Sequence, residues 1–145
     1  MSQIILEEDY LQPAEDDKII FDYRTLGSYI LSHAVTYYYS QIPEIRRHIG
    51  QRILSLISDR NVNDLRNASS ELFVGLQGFA KDPGDDQRRR GHLDSLCNYG
   101  VGLLKSISSN PEKWNFGAWS RPDGRAIVYP SLLKGYYEVV ESEAL

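Results

Sequence analysis

Apolar residues recur at steps of three and four along much of the chain, which is the spacing of one face of an α-helix. The clearest example begins near Pro43, since proline is tolerated in the first turn of a helix but not inside one. Polar and basic residues occupy the remaining positions of this segment, as in an amphipathic helix. Its apolar positions are Ile42, Ile45, Ile49, Ile53 and Leu56.

Two flanking segments have the same periodicity. Tyr and aliphatic residues predict a helix from about Asp22, a competent N-cap, to about Gln41. After the proline helix, Asn61 or Asn63 supplies the next start signal, and the helical spacing continues to about Ala80.

A fourth helix is predicted after the turn-forming segment 81–86, which contains proline, glycine and three aspartates. Three glycines interrupt it, at Gly91, Gly100 and Gly102. Each glycine costs a helix about 1 kcal/mol relative to alanine, so we expect close packing against a neighbouring helix as compensation.

The pattern changes after Asn110-Pro111. Aromatic and β-branched residues flank the turn-forming segment 121–124, which indicates a short hairpin or an ordered loop. Ser131 is then a possible cap for a last helix. That helix would carry Leu132, Leu133, Tyr136, Tyr137 and Val140.

These elements predict an all-α fold, a compact bundle of four to five helices with a short C-terminal hairpin or ordered aromatic loop. We expect residues 1–18 to form an acidic, flexible N-terminal arm and 19–145 to form one helical domain. The arm has six carboxylates against one lysine, in a chain whose net charge is −4. The stretch 19–137, between this arm and the glutamates near the end of the sequence, is therefore mildly basic.

Composition narrows the functional classes. With 41% hydrophobic and 25% charged residues, the chain resembles ordinary globular proteins. Its single cysteine, Cys97, excludes an internal disulfide, and neither a secretory leader nor a membrane-length apolar run is evident. We therefore expect a soluble cytoplasmic protein that does not interact with membranes.

Motifs for nucleotide binding, zinc hydrolysis and serine hydrolysis are not found in the sequence. The histidines, His33, His48 and His92, lie on three different predicted helices and lack the spacing of metal ligands. We predict no metal, no cofactor and no catalytic residue. His33 is interpreted as a core histidine, His48 and His92 as surface histidines, and Cys97 as a small buried hydrophobic residue.

The most specific charged feature is the run Arg88, Arg89 and Arg90, followed by His92. Three consecutive arginines cover most of the circumference of a helix, so at least one must point toward the core or a neighbour and needs a partner there. A structural salt-bridge network is the favoured explanation. The alternative is a site for an anion or an acidic partner that also includes Arg46 and Arg47.

Aromatic residues suggest an interface. Tyr37, Tyr38 and Tyr39 are consecutive and cannot all face one core, and Trp114 and Trp119 lie close together in the sequence. Tyr and Trp are favoured in interfaces because a large apolar body ends in a polar group.

Three functions remain open. We favour a non-enzymatic protein–protein interaction or regulatory module that forms a homodimer. An anion- or nucleic-acid-binding protein with an arginine-rich surface is the alternative, although the sequence pI of 5.3 argues against nucleic acid. The third hypothesis is a small-molecule pocket within the bundle, to which Tyr, His33 and Cys97 would contribute polar groups.

Overall fold

A computed structural model describes residues 15–145. Within this range, four α-helices lead into five short β-strands. The helices are α1 (Asp16–Tyr37), α2 (Ile42–Ser58), α3 (Val62–Gly75) and α4 (Asp86–Ser109), with 3₁₀ turns at Gln77–Phe79 and Pro83–Asp85. The strands are β1 (Trp114–Phe116), β2 (Ile127–Tyr129), β3 (Leu132–Lys134), β4 (Tyr137–Val140) and β5 (Glu143–Ala144).

The helix boundaries follow local start signals. Asn61 caps α3, since its side-chain oxygen accepts a hydrogen bond from the backbone N–H of Asp64 at 3.1 Å. Pro43 lies in the first turn of α2. Asp82 accepts from the N–H of Gly84 at 2.9 Å, which fixes the 3₁₀ turn that precedes α4. These three helices start where the sequence predicts.

The first helix starts earlier than predicted. α1 begins at Asp16 rather than Asp22, and Asp16 and Asp17 in its first turn suit the positive end of the helix dipole. Asp22 lies inside the helix and pairs with Lys18 at 2.6 Å. The last residues of the predicted acidic arm therefore belong to α1, whereas residues 1–14 lie outside the described residues.

The C-terminal strands form two small antiparallel sheets. One has the strand order β1-β3-β4, and the other pairs β2 with β5. In the first sheet Trp114 lies opposite Lys134, and Lys134 lies opposite Tyr137. The predicted turn over 121–124 is present and is closed by a bridge between Ser120 and Ala126.

The prediction of an all-α bundle is wrong: the protein is mainly α with a C-terminal β region. The predicted last helix from Ser131 is replaced by β3 and β4. Gly135 has φ +60°, a left-handed conformation that a right-handed helix does not contain, and it opens the two-residue loop between these strands. Pairing with β1, far away in sequence, completes the sheet.

The core lies between the helices and continues beneath the strands. α4 packs against both α1 and α3, and β2 packs against α2. Trp114 is 2% exposed at the start of β1 and extends the core into the sheet. One contiguous set of buried apolar residues thus joins the helical and the strand regions.

Only one of the three glycines of the fourth helix has the expected packing role. A Cβ atom at Gly100 would lie 3.0 Å from Ile53 and 3.5 Å from Leu65, so this glycine lets α4 approach α2 and α3 closely. Gly91 and Gly102 face open space.

A fourth glycine, Gly27 of α1, sets the distance between that helix and the sheet. A Cβ atom there would lie 2.7 Å from the ring of Tyr129, which is buried. We predict that Gly27→Ala lowers the free energy of unfolding by about 1–3 kcal/mol, because the ring has no room to move. Gly102→Ala is the matched control and should raise it by about 0.5–1 kcal/mol through helix propensity.

Urea denaturation followed by circular dichroism measures both variants. Equal stabilisation by the two alanines would contradict close packing at Gly27.

Candidate functional site

Two histidines from different helices meet inside the protein. His33 of α1 and His92 of α4 approach through their Nδ1 atoms at 2.8 Å, and their rings stack with centroids 5.0 Å apart. A hydrogen bond between two ring nitrogens needs one N–H and one lone pair, so the two imidazoles are not both cationic. His33 is fully buried and His92 is half-buried.

Tyr38 and Arg89 extend this pair into a chain of hydrogen bonds. The Tyr38 hydroxyl lies 2.8 Å from His33 Nε2, and Arg89 Nη1 donates to the same hydroxyl at 3.4 Å. One arrangement uses every contact: Arg89 donates to Tyr38, Tyr38 to His33 Nε2, and His33 Nδ1–H to His92. We call His33, Tyr38, Arg89 and His92 the polar cluster.

Arg89 is the charged member of the polar cluster and is only 1% exposed. Its guanidinium lies 4.1 Å from the centre of the Phe73 ring, and Nη1 donates to the Phe73 backbone oxygen at 3.2 Å. The carboxylate of Asp86 is 3.9 Å from Nη2. Within residues 15–145, Arg89 Nε and Nη2 have no hydrogen-bond acceptor. The cation is therefore stabilised mainly by one carbonyl, aromatic faces and a nearby carboxylate.

Burial determines the protonation of the polar cluster. It lowers the pKa of His33 from 6.5 to about 3, with further lowering by the neighbouring His92 and Arg89. Burial also lowers the pKa of His92. The pKa of the Tyr38 hydroxyl is raised by burial, although the Arg89 cation opposes this shift. At neutral pH, Arg89 is the only charged group among these four.

The structure separates the arginines that were grouped as a possible anion site. Of the consecutive three, Arg89 points inward, while Arg88 and Arg90 are exposed and Arg90 donates to Ser70 at 3.2 Å. Arg46 forms an ion pair with Glu143 of β5 at 2.9 Å. Arg47 donates to the backbone oxygen of Trp119 at 3.2 Å.

The predicted aromatic interface residues also occupy different environments. Tyr38 belongs to the polar cluster, and the Tyr37 ring lies beside it, 5.1 Å from His33. Tyr39 is 64% exposed. Trp114 is buried in the core, and Trp119 covers Gly50 of α2. Among these five, Tyr39 alone is largely exposed.

The pairing of His33 with His92 was not predicted from the sequence. The two residues are 59 positions apart, and only the packing of α1 on α4 brings them together. Two features of the sequence pointed toward a buried polar cluster: the predicted core position of His33, and the need of one arginine among Arg88, Arg89 and Arg90 for a partner inside the protein.

The structure also bears on the Cys97 thiol and on the question of a metal site. Cys97 is fully buried, and burial raises the pKa of its thiol to about 12, with a smaller contribution from Asp94. A thiol with this pKa is not a nucleophile at neutral pH. In the part of the chain that the structure describes, no three His, Cys, Asp or Glu side chains converge as metal ligands.

The side of α1 that faces away from the core is unusually apolar. Phe21 is 66% exposed, Leu31 is 38% exposed and Val35 is 52% exposed. Arg24 and Ser28 lie between them, and both are exposed. We call Phe21, Arg24, Ser28, Leu31 and Val35 the outer face of α1. A helix that packs on only one side normally presents polar residues here.

Comparison of the chain with protein-family models, curated proteins and solved structures gives no match. None of the described helices has the length and apolar character needed to cross a lipid bilayer. The case for a function therefore rests on the geometry of the polar cluster and of the exposed surfaces.

The polar cluster predicts a pH-dependent stability. The unfolded chain protonates His33 near pH 6.5, whereas the folded chain does so near pH 3. The contribution of neutral His33 to the free energy of unfolding is therefore fully present above pH 6.5, and it is lost as the pH falls toward 3. Between pH 7 and pH 5 the loss amounts to about 2 kcal/mol.

Urea denaturation at these two pH values checks the prediction. His33→Gln should show a clearly smaller loss than the unmodified protein, and the control His48→Gln, at an exposed position, should show the full loss. An unchanged pH dependence in His33→Gln would refute this role for His33.

Proposed function

We propose that this chain is a non-enzymatic protein–protein interaction or regulatory module that associates with a second copy of itself through the outer face of α1. The observation that carries the proposal is the exposure of Phe21, Leu31 and Val35 on a helix face opposite the core. Large apolar side chains grouped on one exposed face are typical of interaction surfaces.

The spacing of the outer face supports a helical partner. Its five residues follow steps of three, four, three and four, which are the a and d positions of a helix-pairing seam. Ser28 is at the centre of this seam. A small residue there allows the backbones of two helices to approach closely.

The outer face is also complementary to itself when two copies run antiparallel. Phe21 and Val35 are each seven residues from Ser28, or about 10 Å along the helix. A two-fold axis at Ser28 therefore places Phe21 of one copy against Val35 of the other, as an isologous dimer requires. It also places Arg24 opposite Ser32, whereas a parallel pair would bring the two Arg24 cations together.

The other hypotheses have weaker support. Arg46, Arg47 and Arg89 use their guanidinium groups within the protein, which leaves Arg88 and Arg90 as the exposed members of the proposed anion site. A cytoplasmic location remains part of the proposal, because the one cysteine of the chain is buried and unpaired.

Mass measurement by light scattering after size-exclusion chromatography tests self-association. We expect twice the monomer mass of 16.6 kDa at high protein concentration. Val35→Glu should weaken the dimer roughly a hundredfold, because it would bury a carboxylate in an apolar seam.

Val74→Glu is the matched control, since Val74 is 67% exposed on α3, away from the outer face. It should leave the mass unchanged. A monomer at the highest soluble concentration, or equal effects of the two substitutions, would refute the proposal.

A further inference from the structure

A groove runs between α1 and the strand β4. Its volume is about 520 Å³, and its lining consists of Arg24 and the consecutive residues 138–141. β4 has an extra residue at Val139, which interrupts the regular alternation of its side chains. The groove continues into a smaller space of about 290 Å³ beside Ser28 and Tyr129.

The strand that lines this groove, β4, is an edge strand of its sheet. In the described part of the chain, β4 pairs with β3 on one side and with no other strand. Neither proline nor lysine occurs in Tyr137–Val140, and the one feature that limits further pairing is an extra residue, Val139, between the pairs Leu132–Val140 and Leu133–Glu138. A strand of this length presents its main-chain groups over about 13 Å.

The rim of the groove carries two carboxylates and the Arg24 cation, and two tyrosines directly precede it along the chain. Glu138 and Glu141 are exposed, and neither forms an ion pair with any residue from 15 to 145. Tyr136 is fully exposed and Tyr137 is 78% exposed at the beginning of β4. Carboxylates attract cationic side chains, and tyrosine rings bind them through their faces.

We propose that the groove binds an extended segment of another protein that carries Lys or Arg side chains. The segment adds a strand to the free edge of β4, and its cations contact Glu138 and Glu141 and cover the rings of Tyr136 and Tyr137. Strand addition supplies main-chain hydrogen bonds, and the rim supplies the preference for a basic sequence. The proposal does not rest on the dimer, but the segment and a second copy would compete, because Arg24 and Ser28 border both surfaces.

The charge preference is tested with a fluorescein-labelled peptide of alternating Lys and Val, measured by fluorescence anisotropy. We expect saturable binding that weakens with added salt. The double variant Glu138→Lys with Glu141→Lys should reduce the affinity roughly tenfold. The matched control is Glu44→Lys with Glu112→Lys, two exposed carboxylates outside the groove, and it should change the affinity little.

Strand addition is tested with the same peptide methylated at alternate backbone nitrogens, which cannot donate hydrogen bonds along one edge. We expect roughly tenfold weaker binding than for the unmodified peptide. The variant Val35→Glu, designed to be monomeric, should still bind the unmodified peptide. This separates the groove from the proposed dimer.

Several results would overturn the proposal. Absence of binding would do so, as would equal losses in the groove and control variants, which would indicate general charge attraction. Equal affinity for the methylated peptide would exclude strand addition. A change in oligomeric mass caused by the groove variants, without peptide binding, would indicate that two copies of the chain meet at this groove instead.

Discussion

The contact between Tyr23 of α1 and Tyr129 of β2 holds the helical and strand regions together. The Tyr129 hydroxyl donates to the backbone oxygen of Tyr23 at 2.6 Å, and the Tyr23 hydroxyl donates to that of Pro130 at 2.5 Å. Their rings stack with centroids 4.6 Å apart. Each hydroxyl is buried and each has a partner, so this contact satisfies polar groups that would otherwise destabilise the core. The absence of a side chain at Gly27 makes room for it.

The rest of α1 is held by polar contacts along the same inner side. Near its start, Asp16 pairs with Lys134 of β3 at 2.5 Å. At its end, His33 and the adjoining Tyr38 join the polar cluster with Arg89. Polar partners thus fix both ends of the helix, whereas the apolar side chains of the outer face, Phe21, Leu31 and Val35, remain exposed. The same contacts fix the position of the groove, which lies between α1 and a strand of the attached sheet.

Local sequence signals were sufficient to predict most of the helices. The steps of three and four, the Asn61 cap and Pro43 each act within one or two turns, so they can be interpreted without knowledge of the fold. The inward orientation of one arginine among Arg88, Arg89 and Arg90 also followed from helix geometry alone. Its partners did not, because Tyr38 and Phe73 reach it only through tertiary packing.

The strands could not be predicted in the same way. Leu132, Leu133, Tyr136, Tyr137 and Val140 have a spacing that is also compatible with a helix. Two features favour strands over a helix here: the left-handed conformation of Gly135, and the pairing of Lys134 with Trp114, 20 residues earlier. Short strands depend on such distant partners more than helices do, since a helix satisfies its hydrogen bonds internally. The outer face of α1 was hidden for a related reason: periodicity shows which residues are apolar, but not which of them the fold leaves exposed.

The central functional claim is that two copies of α1 meet antiparallel around Ser28. Oxidation of Ser28→Cys tests this geometry directly, because the native Cys97 is buried and the two new cysteines would lie on the two-fold axis, close enough for a disulfide. The account predicts rapid formation of a covalent dimer by Ser28→Cys, and none by the control Ser55→Cys at an exposed position of α2. Cross-linking of both variants at the same rate, or of neither, would contradict it.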